Sequence, residues 1–182
     1  MTEAAIHELL VKQQLHELEM AYCRGLDRRD EALLRSVFFE DAVVEHGQMF
    51  SGTGGGFAAW AVNEFLLRYE ITAHYVLNEW YHVEGECAEA EIYRVTYHRE
   101  RKDDRELATV AAGRAFNRYE CRSGVWKICY RTVVRDWMTQ SEAKAAAAAP
   151  GFSLAASAPG PEDPSYAVLG MFRGTAGGST GK

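Results

Sequence analysis

The sequence predicts an α+β domain in which N-terminal helices pack on one face of a curved antiparallel sheet. Two observations carry this. Apolar residues recur at helical spacing through the first part of the chain, and from His74 onward four stretches rich in Val, Ile, Thr, Tyr and Trp follow one another, divided by short turn signals. Helices first and a strand meander afterwards make a helical layer over a sheet, an arrangement able to enclose a pocket.

The first helix is expected from Ile6 to Leu26, where Ile6, Leu9, Leu10, Leu15, Leu18, Tyr22 and Leu26 form the apolar stripe between Glu, Lys and Gln. Asp30 suits the N-cap of a short second helix, because its carboxylate can accept from the free N–H groups of the first turn, with Leu33, Leu34 and Val37 on the buried side. Ala42 to Glu45 reads as a short strand. The stretch "GQMFSGTGGGF" that follows is expected to be a loop, since its glycines lose much backbone entropy in regular structure. Helical spacing returns from Phe57 to Tyr69 through Trp60, Phe65 and Leu66. Strands are then expected at 74–83, 88–101, 107–122 and 125–137, punctuated by "EGE", "KDDR" and "RSG".

Beyond Gln140 the composition shifts to "KAAAAAPGFSLAASAPGPEDP", too poor in large apolar residues to pack alone, before "SYAVLGMFRG" restores an apolar patch. The chain therefore divides into an α+β domain at 1–139 and an Ala/Gly/Pro-rich tail at 140–182 that carries a docking segment near 164–173. That segment is a candidate lid over the pocket.

Composition excludes several function classes. With 20 basic and 26 acidic residues the formal charge of the 182-residue chain is -6, and the arginines form no stripe, which argues against nucleic acid. No stretch reaches the roughly 20 apolar residues needed to cross a bilayer, and "MTEAAIHELL" lacks the layout of a secretory signal, so no membrane partner and a cytoplasmic location are expected. Cys23, Cys87, Cys121 and Cys129 fall singly, without metal-type spacing, which points to reduced thiols and to no metal site. "GTGGGF" departs from the dinucleotide pattern because Phe57 stands where the last glycine belongs, and it reads as a hinge or pocket rim. No nucleophile elbow, P-loop or zincin motif occurs.

The residues that remain for chemistry centre on His74, which opens a strand. Facing the space between sheet and helices, it would take and give a proton near neutrality. Asp27, closing the first helix, is the carboxylate that could fix its tautomer and stabilise the imidazolium. The same two residues also read as a helix-end carboxylate beside Arg28 and Arg29 and as a hydrogen-bonded core histidine. His46, His82 and His98 are more exposed by context. By strand alternation Arg131 shares a face with Lys127, Cys129 and Val133; its guanidinium either points inward at an anionic partner or pairs across strands. Arg114 raises the same question. Among the many aromatic residues, Trp60 and Tyr97 are candidates to contact a flat, apolar ligand, with Arg114 beside them.

"YCRGLDRRDEALLRSVFFEDAVVEHG", "TAHYVLN" and "AAGRAFNRYECRSGVWKICYRTVVRDW", together with "DPSYAVL" in the tail, resemble the SnoaL-like branch of the nuclear transport factor 2-like superfamily over roughly residues 5 to 138. The resemblance implies a cone-shaped fold with an apolar cavity and a homotrimer or homodimer. It also implies kinship with lindane dehydrochlorinase, bile acid 7α-dehydratase and scytalone dehydratase, which eliminate without cofactor through a His/Asp dyad. By position Asp27 and His74 match that dyad, Arg131 the arginine of the last strand, and Tyr22 the residue five before the aspartate. Tyr22 follows the bile acid dehydratase, whereas the dehydrochlorinase has lysine there, which speaks against chloride expulsion. The expected function is a cofactor-independent lyase acting on a hydrophobic hydroxylated, aromatic or polycyclic substrate with loss of water or formaldehyde, lignin-derived diarylpropanes being candidates. The superfamily also contains non-catalytic small subunits of ring-hydroxylating dioxygenases, ligand-binding cones, ketosteroid isomerases and polyketide cyclases, and these remain the alternative expectations.

Overall fold

The computed structural model describes residues 2–143 and 154–170. Helix α1 spans Glu3–Asp27 and starts at Thr2, whose hydroxyl accepts from the N–H of Ala5. Its buried stripe is Val11, Leu15, Glu19, Tyr22, Cys23 and Leu26, while Ile6, Leu9 and Leu10 are exposed, so the apolar stripe seals the core only from Val11 onward. Helix α2, Glu31–Ser36, is capped by Asp30, which accepts from Leu33 N–H at 2.9 Å. The two helices meet at Gly25, where a Cβ would lie 2.9 Å from that of Leu34.

Strand β1 (Phe38–Glu45) begins four residues earlier than the sequence suggests, and a short β2 (Ser51–Thr53) forms inside the expected loop. Helix α3 (Gly54–Trp60) then starts on the glycines themselves, contrary to the loop expectation. Thr53 caps it by accepting from Gly56 N–H at 3.1 Å. Glycine is needed because a Cβ at Gly54 would sit 2.5 Å from that of Phe38, so close packing of α3 on β1 outweighs the entropic cost. The helix continues as a π turn, Ala61–Phe65, and a 3-10 turn, Leu66–Arg68.

Four long strands follow: β3 (Ile71–Glu84), β4 (Cys87–Lys102), β5 (Arg105–Arg122) and β6 (Val125–Glu142). They pair antiparallel in sequence, and β1 adds to β6 in parallel, giving a mixed six-stranded sheet of order β2-β1-β6-β5-β4-β3. Extra residues bulge out of β3 between Val76 and Glu79, and out of β6 at Cys129 and Asp136. Such bulges bend and twist a sheet, and here they curl it around the helices. Opposite the second bulge of β6, a Cβ at Gly113 would run into the carbonyl oxygen of Val134.

The core lies between α1, α2, α3 and the concave face, and includes Leu15, Leu34, Val44, Phe57, Ala58, Leu66, Ile92, Ala115 and Ile128. After Glu142, a 3-10 turn at Gly160–Glu162 and α4 (Pro164–Val168) pack on the C-terminal end of α1. Gly160 N–H donates to Arg28 O at 2.9 Å, Asp163 pairs with Arg28 at 3.2 Å, and Arg24 lies over the ring of Tyr166. None of residues 154–170 lines the cavity, and 171–173 of the expected docking segment lie outside the described residues. Among the described residues no helix is long and apolar enough to cross a membrane.

Candidate active site

Along β4 the inward-facing positions change character. Ala88, Ala90 and Ile92 belong to the packed core, whereas Arg94, Thr96 and His98 open onto a cavity of about 360 Å³. The same change runs along β5, where Ala115 closes the core and Ala111 and Thr109 line the cavity. Residues from α3 and the turns after it form the facing wall: Phe57, Trp60, Phe65 and Tyr69. Trp60 and Phe65 stack at 5.0 Å, and Tyr69 stacks on His98 at 4.3 Å. Arg29 holds this wall by donating to the carbonyl of Leu66 at 2.9 Å and to that of Tyr69. The volume suits a small molecule and the wall suits a planar apolar one.

His74 and Asp27, 47 positions apart in the chain, meet at the edge of this cavity, which His74 lines. Asp27 Oδ2 accepts from the His74 backbone N–H at 3.0 Å, and Oδ1 lies 2.6 Å from Nδ1. The His74 side chain is 9% exposed and that of Asp27 15%. The two contacts fix the imidazole with Nδ1 engaged, which leaves Nε2 as the nitrogen available to a ligand in the cavity that His74 lines. Burial lowers the pKa of His74, and nearby Arg94 and Arg131 act in the same direction against the opposing pull of Asp27. The ring is therefore neutral and able to accept a proton near neutrality.

Two further histidines line the cavity, contrary to the exposure expected for them. Burial is the main reason that His98 has its pKa lowered to about 4 and His46 to about 3. His98 Nδ1 lies 3.2 Å from Thr72 Oγ1, and the His46 ring packs on Phe57 at 4.6 Å. Strand alternation on β4 carried the signal for His98, which stands four places beyond Arg94 on the same face. Among the described residues no group of three or more His, Cys, Asp or Glu is arranged to hold a metal ion.

Tyr22 lines the cavity, 1% exposed, stacked on Phe57 with ring centroids 6.0 Å apart. Arg131 lies beneath it, with Cζ 3.9 Å from the ring centroid. The expected face for Arg131 is corrected by the bulge at Cys129, which shifts the phase of β6 and sets Arg131 inward with Ile128, not with Lys127 and Cys129. Its guanidinium is fully buried and bound to Glu19 at 2.8 Å and to Asn117 at 2.9 Å. Glu19 also accepts from Asn117 at 2.6 Å and from Tyr119 at 3.2 Å. Although burial pushes the Glu19 carboxyl upward, Arg131 and Arg94 hold it below the usual range. Arg131 thus supports Tyr22 from behind and does not line the cavity.

Trp60 and Arg114 border the cavity and Tyr97 does not. Tyr97 alternates to the outer face of β4, away from the cavity set by Thr96 and His98. Arg114 borders the rim, yet its guanidinium is held by Glu91 at 2.9 Å and Asp136 at 3.2 Å, beside the exposed Tyr93 on the outer face. The residue that sequence reasoning missed is Arg94, 8% exposed and on the cavity wall. The alternation Ala88, Ala90, Ile92, Arg94 was its signal.

The sequence matches the SnoaL-like domain family over residues 7–132. Among solved structures, it is similar to a hexachlorocyclohexane dehydrochlorinase (LinA type 2) at 21% identity and a TM-score of 0.69, over 81% of this chain and 99% of that one. The type 3 enzyme from Novosphingobium barchaimii LL02 gives 19% and 0.68, over 84% and 99%. A candidate scytalone dehydratase from Novosphingobium aromaticivorans DSM 12444 gives 20% and 0.65, over 81% and 97%. At these identities the likeness is one of fold. No protein of curated function matches the sequence significantly.

Proposed function

This chain belongs to the SnoaL-like domain family of nuclear transport factor 2-like proteins, and from that membership and the Asp27–His74 pair we propose that it is a cofactor-independent lyase acting on a hydrophobic hydroxylated compound. The observation that carries the reading is the 2.6 Å contact of Asp27 with His74 Nδ1 at the edge of an aromatic cavity. The family resemblance to dehydratases, and the dehydrochlorinases among the similar folds, support it.

In the elimination, His74 Nε2 takes a proton from carbon, the released electron pair forms the double bond, and the adjacent C–O bond breaks. The imidazolium, stabilised by Asp27, returns the proton to the departing hydroxyl, so water leaves and the neutral base is restored. In the fragmentation variant the base takes the proton of a hydroxymethyl group, formaldehyde leaves as the C–C bond breaks, and the imidazolium protonates the carbon. Tyr22 would hold the substrate oxygen, and Arg131 keeps Tyr22 in place. Lignin-derived diarylpropanes are candidate substrates. Residues 1–139 carry this chemistry in the proposal, although β6 itself runs on to Glu142. The exposed Trp80, Tyr93 and Trp137 of the outer sheet face support assembly into a homotrimer or homodimer, which light scattering would check.

The experiment is a screen of the purified protein, treated with chelator, against hydroxylated aromatic and steroid compounds, read by product mass. Loss of the mass of water or formaldehyde, abolished in a folded His74→Ala protein, is the expected result. A product of unchanged mass would instead mean isomerisation. Full turnover by His74→Ala would reject the base assignment.

A further inference from the structure

We propose that Arg94 is the seat for an acceptor oxygen conjugated to the reacting carbon, so that the substrate is an aromatic compound bearing a phenolic or carbonyl oxygen; this deepens the lyase reading of the same cavity and rests on it.

Arg94 is a buried cation that Tyr22 and Glu19 help to hold, yet one of its donors is open. Its Cζ lies 4.8 Å from the Tyr22 ring centroid, its Nη2 donates to Cys23 Sγ at 3.4 Å, and its Nε is buried without a hydrogen-bond partner among the described residues. Burial pushes the Cys23 thiol up, so that partner is neutral. Glu19 lends Arg94 its charge but gives its hydrogen bonds to Arg131, Asn117 and Tyr119, and Asp27 binds His74. A guanidinium taken out of water with an open donor is costly unless something satisfies it. On the cavity wall, a ligand oxygen is the group that does so, and a planar guanidinium suits an oxygen that carries or gathers negative charge.

Register fixes where that oxygen lies relative to the base. Thr96 is opposite His74, and Arg94 is opposite Val76, so Arg94 is the diagonal neighbour of His74 on the concave face. Such positions are about 7–8 Å apart. A ligand spanning them has its acidic carbon at His74 and its oxygen a few bonds away at Arg94. As His74 removes the proton, charge passes through the conjugated system to the oxygen, where Arg94 stabilises it. His46 adds another open polar atom, since its Nε2 is also buried without a partner among the described residues. The rings of Trp60, Phe65 and Tyr69 would hold the flat body between these poles.

The test uses 4-nitrophenol, whose absorbance separates phenol from phenolate, and nitrobenzene as the probe lacking the hydroxyl. The wild-type chain is expected to bind 4-nitrophenol as phenolate, with the apparent pKa of the bound probe lowered by about one unit or more. It should also bind it about 10-fold or more tighter than nitrobenzene. Arg94→Met should remove the preference and return the probe to phenol while nitrobenzene still binds; Arg94→Lys should keep part of the effect. Absence of binding by the wild-type chain, binding as phenol, or an unchanged Arg94→Met spectrum would overturn the proposal. Where Arg94→Met does not fold, Arg94→Lys decides the matter, since a bound-probe pKa and a preference unchanged from wild type would overturn the assignment to Arg94. No readout requires turnover, so failure of the lyase screen and failure of the Arg94 assignment are separate results.

Discussion

Asp27 grips His74 at two points, its Oδ2 on the backbone N–H at 3.0 Å and its Oδ1 on Nδ1 at 2.6 Å. One carboxylate at the end of α1 therefore sets both the path of β3 and the orientation of the ring that opens onto the cavity. Replacing Asp27 by Asn presents an amide in the same place, which disturbs the tautomer more than the fold. Turnover in the Asp27→Asn protein should drop by about 10²–10⁴-fold, with a loss of stability of roughly 1–3 kcal/mol at most. Rates on a substrate found by the screen, set beside thermal melting, check both halves.

The cavity histidines predict an acid-sensitive fold. Folded-state pKa values of about 4 for His98 and about 3 for His46, and a lowered value for His74, stand against 6.5 for the free side chain, with burial the main cause in each. The unfolded chain then takes up protons that the folded chain refuses. Their contribution to stability is fully present above about pH 6.5 and is lost progressively as the pH falls toward 4 and then 3. Each histidine protonated only in the unfolded chain accounts for about 1.4 kcal/mol over every pH step of about one. Urea unfolding at a series of pH values should show this slope, and His46→Gln should flatten it. A stability that stays level from pH 7 to pH 4 would contradict the assignment.

Glu19 and Arg131, fully buried and 2.8 Å apart, predict a strongly non-additive pair. Removing either partner alone leaves a buried charge, and Glu19→Gln or Arg131→Met should each cost about 3–5 kcal/mol. The double variant should lose less than the sum of the two. A denaturation cycle over the four proteins measures the coupling.

Gly54→Ala should destabilise by roughly 1–3 kcal/mol through overpacking, because the new methyl meets Phe38 at 2.5 Å. Gly56→Ala, whose added carbon meets Thr53 Oγ1 at 3.2 Å and otherwise only the Phe50 ring at 3.7 Å, should cost distinctly less. Equal melting temperatures for the two variants would count against close packing of α3 on β1.

Asp163 both caps α4 and pairs with Arg28. In Asp163→Ala, hydrogen exchange over residues 158–169 should accelerate, while exchange in β4 and β5 stays at wild-type rates. Acceleration throughout the sheet would mean that the tail segment is integral to the core.

By itself the sequence determined what is local. The helix period of α1, the Asp30 cap, the turns at Gly85, Asp103–Asp104 and Ser123–Gly124, and the four long strands all follow from residues within a few positions of one another. Resemblance to a family added Asp27 and His74 as a pair. Tertiary structure alone decided which face each strand residue takes and who its distant partner is. A single extra residue at Cys129 reverses the phase of β6 and turns Arg131 toward Glu19, 112 positions away. Close packing against Phe38 made a helix start of three glycines that local entropy assigns to a loop. Arg94, His46 and His98 acquired their surroundings only when the sheet curled, because burial and partnership belong to the packed surface and leave no mark on neighbours along the chain.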